Sequence, residues 1–245
     1  VNIDICMAVY GQLPYTEQFI DCAERYTKIE HRYFIIDDCS KDKTWEFLTK
    51  NAEADDRFVV ERNEENIGYL LSINKALAKT TADYICITNN DVLMSKDCLE
   101  GVISAMEHEG AWAVSPVMFV GKHLFDPDKS WYQFVEERQA MMTNDMVVSG
   151  RLFGCCFVIS RKCYEELGGF DEGYAPYWFE DNDYIMKLIQ AEHPPLITYR
   201  GFVYHYESKT LEKLKVQTRW KLWSANKKRF EEKWGVTWNP LMFGG

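Results

Sequence analysis

Four short clusters in this 245-residue chain bring together side chains able to do chemistry. Asn89-Asn90-Asp91 follows the apolar run Tyr84–Thr88, so two amides and a carboxylate stand where a strand ends. The trio fits either an Asx turn or an oxygen site for a hard divalent cation, Mn2+ or Mg2+. In the second case Asp91 is the one strong carboxylate and a diphosphate supplies other ligands. Asp37 and Asp38 close a second apolar run in IIDDCSKDKT. Ser40, Asp42 and Thr44 there suit a helix start, whereas Asp38, at the tip of an interior strand, needs a partner; a nucleobase N–H or a ribose hydroxyl would serve. Glu180, Asp181 and Asp183 open a helix, where the macrodipole favours acids. They also follow the aromatic run Tyr174 to Phe179, and a carboxylate in a partly dry pocket is a candidate general base. His205 lies in FVYHYESKT, where alternation sets Val203 and His205 opposite Phe202, Tyr204 and Tyr206. It fits a structural strand histidine or a metal ligand.

Alternating strands and helices must position these clusters. Ile3–Val9, Tyr33–Ile36, Phe58–Val60 and Tyr84–Thr88 read as strands. Helices are predicted over Thr16–Tyr26, about 43–51 and Tyr69–Ala78, and Ser95 is expected to cap one carrying Leu99, Val102, Ile103 and Met106. That order implies βαβ units and a mainly parallel sheet with helices on both faces, whose ligands gather at the carboxyl ends of the strands. Residues 121–148 read as an excursion over the sheet and 150–159 as strand. A helix over Asp183–Gln190, a strand near Tyr199–Tyr206 and a helical tail from about Leu211 to Trp234 complete the reading.

The net charge of −10 is unevenly placed: residues 209–245 carry +6 and the rest −16. An acidic body argues against nucleic acid as a partner. Eight cysteines without a CxxC pair suggest a reducing compartment, and no apolar segment reaches the length of a membrane span. With a strand-like start, these features predict a cytoplasmic protein without a signal peptide. No Gly-rich, Lys-bearing phosphate loop or GxGxxG follows the first strand, which disfavours nucleotidyltransferases and dinucleotide oxidoreductases. Trp131, Tyr132, Tyr174, Tyr177 and Trp178 suit an aromatic stacking platform or the core. The tail stripe Val216, Trp220, Trp223, Phe230 and Trp234 suits packing on the domain or, as the less favoured reading, docking on an anionic membrane surface.

Taken in order, AVYG, IIDDCSKDKT, NIGYLLSINKAL, TNND, GGFDE, WFEDNDY and HYESKT resemble the inverting glycosyltransferases of family two, which have the GT-A fold. The resemblance runs from Ile3 to about Gly235, and RFEEKWG resembles the C-terminal helix of rhamnosyltransferase-like members. It implies a Rossmann-like α/β catalytic domain over residues 1–208 and a basic helical extension, 209–245, packed on it. It also implies a donor that is a nucleoside-diphosphate sugar, UDP- or dTDP-linked, and a glycan or lipid-linked glycan as acceptor, in polysaccharide or glycoconjugate synthesis. The backbone around Val9, with Asp38, Asn66 and Asn89, would hold the nucleoside. Asp91 and His205 would hold Mn2+ or Mg2+, Asp181 would be the base with Glu180 beside it, and Tyr177 and Trp178 would meet the acceptor. Asn89 departs from the family's first DxD carboxylate and lowers the negative charge beside the metal. A non-catalytic nucleotide-sugar or glycan-binding domain is the rival reading.

Overall fold

The computed structural model describes residues 1–121, 130–141, 147–206 and 216–239. The first half alternates as predicted. Strands β1 (Asn2–Val9), β2 (Glu30–Asp37), β3 (Phe58–Arg62) and β4 (Tyr84–Thr88) are linked by helices α1 (Leu13–Tyr26), α2 (Thr44–Ala54) and α3 (Tyr69–Leu77). They pair in parallel in the order β3-β2-β1-β4. Their side chains alternate between two apolar layers: Ile3, Ile5, Met7 and Val9 face one, Cys6 the other. Helix α1 and α4 (Cys98–Glu109) cover the first layer; α3 and α7 (Glu180–Gln190) cover the second.

Beyond β4 the sheet is mixed. Strand β5 (Val92–Met94) pairs antiparallel with β9 (Leu196–His205), and β8 (Cys156–Ser160) runs antiparallel between β4 and β6 (Ala113–Val120). Parallel pairing resumes between β6 and β9, and β7 (Val147–Ser149) pairs antiparallel with β9. The predicted excursion, 121–148, thus contains α5 (Ser130–Met141) and the first two residues of β7, while α6 (Arg161–Leu167) follows β8. Within α5, Trp131 is core, stacked 5.5 Å from Phe134, so it is no sugar platform. The side chain of Tyr132 lies outside the described residues.

Four local expectations shift. Helix α1 starts at Leu13, three residues early, because Pro14 is tolerated in a first turn whose N–H groups lack intrahelical partners. Ser95 does not cap a helix: its hydroxyl accepts from the N–H of Phe202 at 3.0 Å, bonding β9 instead, and α4 follows Asp97. Helix α7 begins at Glu180, so the acids are its opening turn. Strand β8 is confined to Cys156–Ser160 because Gly154 and Cys155 curl toward the β4 terminus. The last described helix, α8 (Val216–Trp234), matches the predicted tail; its expected first residues, 211–215, lie outside the described residues. All eight cysteines are free and buried, and no helix among the described residues is long and apolar enough to cross a membrane.

Candidate active site

The carboxyl ends of β1, β2 and β4 share one edge of the sheet, where two cavities of about 240 and 390 Å3 meet. Asp38, Asn66, Asn89, Asp91 and Tyr177 line the smaller, Asp181 and Arg151 the larger; Trp178, Glu180 and His205 line both. Nine of the ten predicted site residues are thereby brought together. The tenth, Val9, faces the apolar layer under α1, and its carbonyl accepts the Asp38 N–H at 2.7 Å. Its neighbours Ala8 and Tyr10, on the opposite face of the strand, line the cavity in its place.

Asp38 is held before any ligand arrives. One carboxylate oxygen accepts from Asn63 Nδ2 and the Ile67 N–H, the other from the Gly68 N–H, each at 2.9 Å. This turn requires glycine: Gly68 has φ +92°, and a Cβ there would lie 2.5 Å from that of Pro176. The bond from Gly68 leaves a lone pair on the second oxygen, since each carboxylate oxygen has about two acceptor sites. Asp37, next to it, is fully buried; it bonds Ser40 and faces Arg62 at 3.3 Å, and burial raises its pKa above the ordinary range.

Strand register assembles the second group. Val92 pairs with His205 across β5 and β9, which sets Asp91 beside that histidine. Asp91 Oδ1 lies 3.2 Å from His205 Nε2, yet that nitrogen, although buried, forms no hydrogen bond. An oxygen and a nitrogen 3.2 Å apart, lining one cavity, are close enough to ligate a single ion from adjacent positions. Among the described residues no three His, Cys, Asp or Glu form a closed metal cage. The residues therefore fit a hard cation that takes its remaining ligands from water or phosphate, as Mg2+ commonly does. Asp38, Asp91, Glu180 and Asp181 all border these cavities, so a bound diphosphate would need a cation between itself and the acids.

The three acids of α7 divide. Asp183 is fully buried and structural: it accepts from Tyr174 Oη at 3.1 Å and Trp234 Nε1 at 2.8 Å, and it pairs with Lys233 at 2.7 Å. Asp181 Oδ1 accepts from the N–H and side-chain amide of Asn182 at 2.7 and 2.6 Å. Its Oδ2 stands where a Cβ on Gly154 would approach to 2.9 Å, so the glycine keeps that oxygen accessible. Burial raises the Asp181 pKa, while the Asn182 bonds oppose the rise. Glu180 is pushed higher, to about 8, first by burial and then by the Asp181 charge. Its Oε2 is enclosed without a hydrogen-bond partner, as is the hydroxyl of Tyr69 on the smaller cavity. Two adjacent carboxyls so enclosed disfavour ionising together, and the shift to about 8 makes Glu180 the member that holds a proton at neutral pH.

Helix α8 completes this wall. Trp178 and Phe179, which lead into Glu180, both have positive φ, 76° and 72°, uncommon for large residues. Asn226 of α8 holds them: its buried amide donates to the carbonyls of Tyr174, Tyr177 and Trp178 at 2.8, 3.0 and 3.1 Å. Arg229 and Lys233 pair with Asp171 of the GGFDE loop at 3.2 and 2.8 Å. Burial alone would raise the Asp171 pKa, but these cations and the Gly173 N–H bring it down to about 2. The sequence reading missed both Asn226 and Tyr69. A polar residue at 226, three after Trp223 and four before Phe230, interrupts the apolar stripe and was the available signal. Tyr69 carried no such mark.

An open cavity at the strand ends, a candidate cation pair and a neighbouring acid pair together make a candidate active site of the α/β strand-end type. The family described as Glycosyl transferase family 2 matches residues 4–168, and the chain belongs to that family. It is 26% identical over 157 residues to a Bacillus subtilis (strain 168) protein provisionally named teichuronic acid biosynthesis glycosyltransferase TuaG, covering 64% of this chain and 61% of that one. Among solved structures, the mannosyltransferase PcManGT from Pyrobaculum calidifontis, in complex with GDP-Man and Mn2+, superposes with a TM-score of 0.69 at 17% identity, over 98% of this chain and 66% of its own. S. aureus TarS 1-349 with UDP-GlcNAc gives 0.68 at 13% identity, over 94% and 67%. GalNAc-T7 with UDP, GalNAc and Mn2+ gives 0.68 at 15%, over 84% and 44%. The fold is therefore GT-A, and the chain spans about two thirds or less of these proteins' lengths.

Proposed function

We propose that the protein transfers a sugar from a nucleoside-diphosphate donor to an acceptor hydroxyl with inversion at the anomeric carbon. The observation that carries this reading is the single wall, Trp178 to Asp181, which sets the Asp91–His205 pair and the Glu180–Asp181 carboxyls around two meeting cavities, with Asp181 Oδ2 kept accessible by Gly154. Asp38, Asn66 and Asn89 bind the nucleoside, with Val9 holding Asp38 in place through its carbonyl. Asp91 and His205 would hold Mn2+ or Mg2+, which supplies positive charge opposite the departing diphosphate, an effect worth several kcal/mol in such sites. Asp181 Oδ2 accepts the proton of the acceptor hydroxyl as its oxygen attacks, a contribution of roughly 10²–10⁴-fold. Glu180, protonated, donates a hydrogen bond within the acceptor site without adding a second charge. Tyr177 and Trp178 shape the boundary between donor and acceptor.

The relatives are named for a glycosyltransferase and a mannosyltransferase, and the solved complexes hold GDP- or UDP-linked ligands. These support a nucleoside-diphosphate sugar as donor class and polysaccharide or glycoconjugate synthesis as the setting; a UDP- or dTDP-linked donor is the expectation from the rhamnosyltransferase-like resemblance. The N-terminal 208 residues act as the catalytic domain, with the basic tail packed on it, in a cytoplasmic compartment. Calorimetric titration with UDP, dTDP and GDP, each with and without Mn2+, tests the reading. One nucleotide should bind with metal dependence that Asp91→Ala abolishes. Binding of none by the folded protein would overturn the proposal.

A further inference from the structure

The apolar stripe of α8 divides in two. Phe230 is fully buried and Trp223 and Trp234 pack against the layer beneath α7. In contrast Val216 and Trp220, on the first turns, are 60% and 63% exposed. With Trp178, Arg219 and Trp223 they line a third cavity, an open groove of about 400 Å3. Trp178 borders all three cavities, and Trp223 borders both the groove and the larger catalytic cavity. The groove therefore continues the space that begins at Asp181.

Resting on the transferase reading, the geometry points to this groove as a second acceptor subsite. It binds a further sugar ring of an anionic oligosaccharide whose terminal hydroxyl reaches Asp181. Three observations carry the assignment. The groove is contiguous with the reaction centre through two shared indoles. Trp220 and Trp223 meet edge to face, with centroids 5.6 Å apart and planes at 76°, which makes an aromatic corner rather than a flat apolar face. A corner of two indoles suits the C–H face of a pyranose, whereas an interfacial helix presents a continuous apolar face to lipid. Finally, Arg219 lines the groove and Lys221 follows on the same helix, with no acid on residues 216–228, whereas Lys227 and Lys228 further along pair with Glu231 and Glu232 at 3.6 Å. Arg219 is close enough to lower the Tyr177 phenol pKa against the burial that raises it. Arg151 lies in the larger cavity, so cationic side chains border both ends of the acceptor path.

The test uses the full chain with Mn2+ and UDP, dTDP or GDP on a panel of defined neutral and uronate- or phosphate-bearing mono- to tetrasaccharides, read by saturation-transfer NMR and calorimetry. Wild type should bind acidic oligosaccharides more tightly than neutral ones and than monosaccharides. Trp220→Ala should weaken the oligosaccharides by about three- to tenfold, the worth of one aromatic contact. Arg219→Gln should erase the preference for acidic over neutral members. Trp220 is exposed, so neither its replacement nor the loss of its packing threatens the fold, and matching melting curves verify this. If wild type binds a nucleotide but no oligosaccharide, or Trp220→Ala binds oligosaccharides as wild type does, the subsite is overturned while the transferase reading stands. If wild type instead co-sediments with phosphatidylglycerol vesicles and Trp220→Ala does not, the groove is a membrane contact and the assignment falls. Failure to bind any nucleotide would strike the underlying reading itself.

Discussion

Replacing Asn226 by alanine probes whether the C-terminal helix maintains the catalytic wall. One amide, 6% exposed, offers two N–H groups to three carbonyls of residues 174, 177 and 178, at 2.8–3.1 Å. Deleting it leaves these acceptors without their partner, at a cost of about 1–3 kcal/mol, and the open cavities beside Trp178 let water offset part of this. Together with the lost packing, a net destabilisation of about 2–3 kcal/mol is expected, which in a domain of this size lowers Tm by roughly 4–12 °C. Activity should fall further than stability implies. Trp178 and Phe179 sit at φ 76° and 72°, conformations costing about 1–3 kcal/mol each, and without Asn226 they can relax and shift Asp181. An ångström-scale displacement of a catalytic group costs about 10²-fold.

The assay is steady-state transfer, or donor hydrolysis by water, at a temperature where both proteins are folded, beside nucleotide calorimetry. Turnover should fall at least tenfold, while nucleotide affinity changes by less than about threefold, because Asp38 and Asp91 stand on other elements. Asn226→Asp, nearly isosteric, should be worse than alanine: it loses both donors and points a carboxylate at the three carbonyls. If Asn226→Ala melts lower but turns over as wild type does, α8 is a scaffold only and the positioning argument fails.

Asp181→Asn should lower turnover by roughly 10²–10⁴-fold while sparing nucleotide binding, whereas Glu180→Gln, which mimics the protonated acid, should retain most activity near pH 7; reversed effects in kinetic assays would exchange the two roles. The raised Glu180 pKa also has a stability consequence. The folded state keeps a proton that the unfolded chain releases near pH 4.5, so this contribution is full below that pH and is lost as pH rises to about 8. Urea melts of Glu180→Gln should therefore gain on wild type between pH 5 and pH 8, by on the order of a few kcal/mol; parallel profiles would mean the acid is ionised throughout. Asp38→Ala should lose roughly 2–4 kcal/mol in denaturant melts as well as nucleotide affinity, because three donors from Asn63, Ile67 and Gly68 lose their acceptor. Unchanged stability would show that the turn is held by other contacts.

What was legible in the sequence follows from the range of the interactions involved. The parallel half of the sheet was readable because its alternation is local, and Asp38 and Asn89 lie at strand ends that periodicity alone locates. The pairing of Asp91 with His205 was not readable from spacing: a register across 114 positions fixes it, and only the family resemblance set the two in one site. The acids of α7 show the same limit. Glu180, Asp181 and Asp183 look alike in sequence, yet Asp183 turns into the domain toward Lys233 and Trp234 while its neighbours turn to the cavities. The tail was read as one apolar stripe because helical spacing cannot reveal where its partner surface ends. Phe230 has a partner in the layer under α7 and Trp220 does not. Asn226, on that same stripe, faces carbonyls that two left-handed residues leave outside the helix. The tail's polar residue and the site's strained corner are thus two halves of one device, each unremarkable in its own stretch of sequence. The wall that carries Glu180 and Asp181 consequently depends on residues some 50 positions apart, and truncation before α8 should leave the sheet and its Asp38 turn while the Glu180–Asp181 pair loses its support.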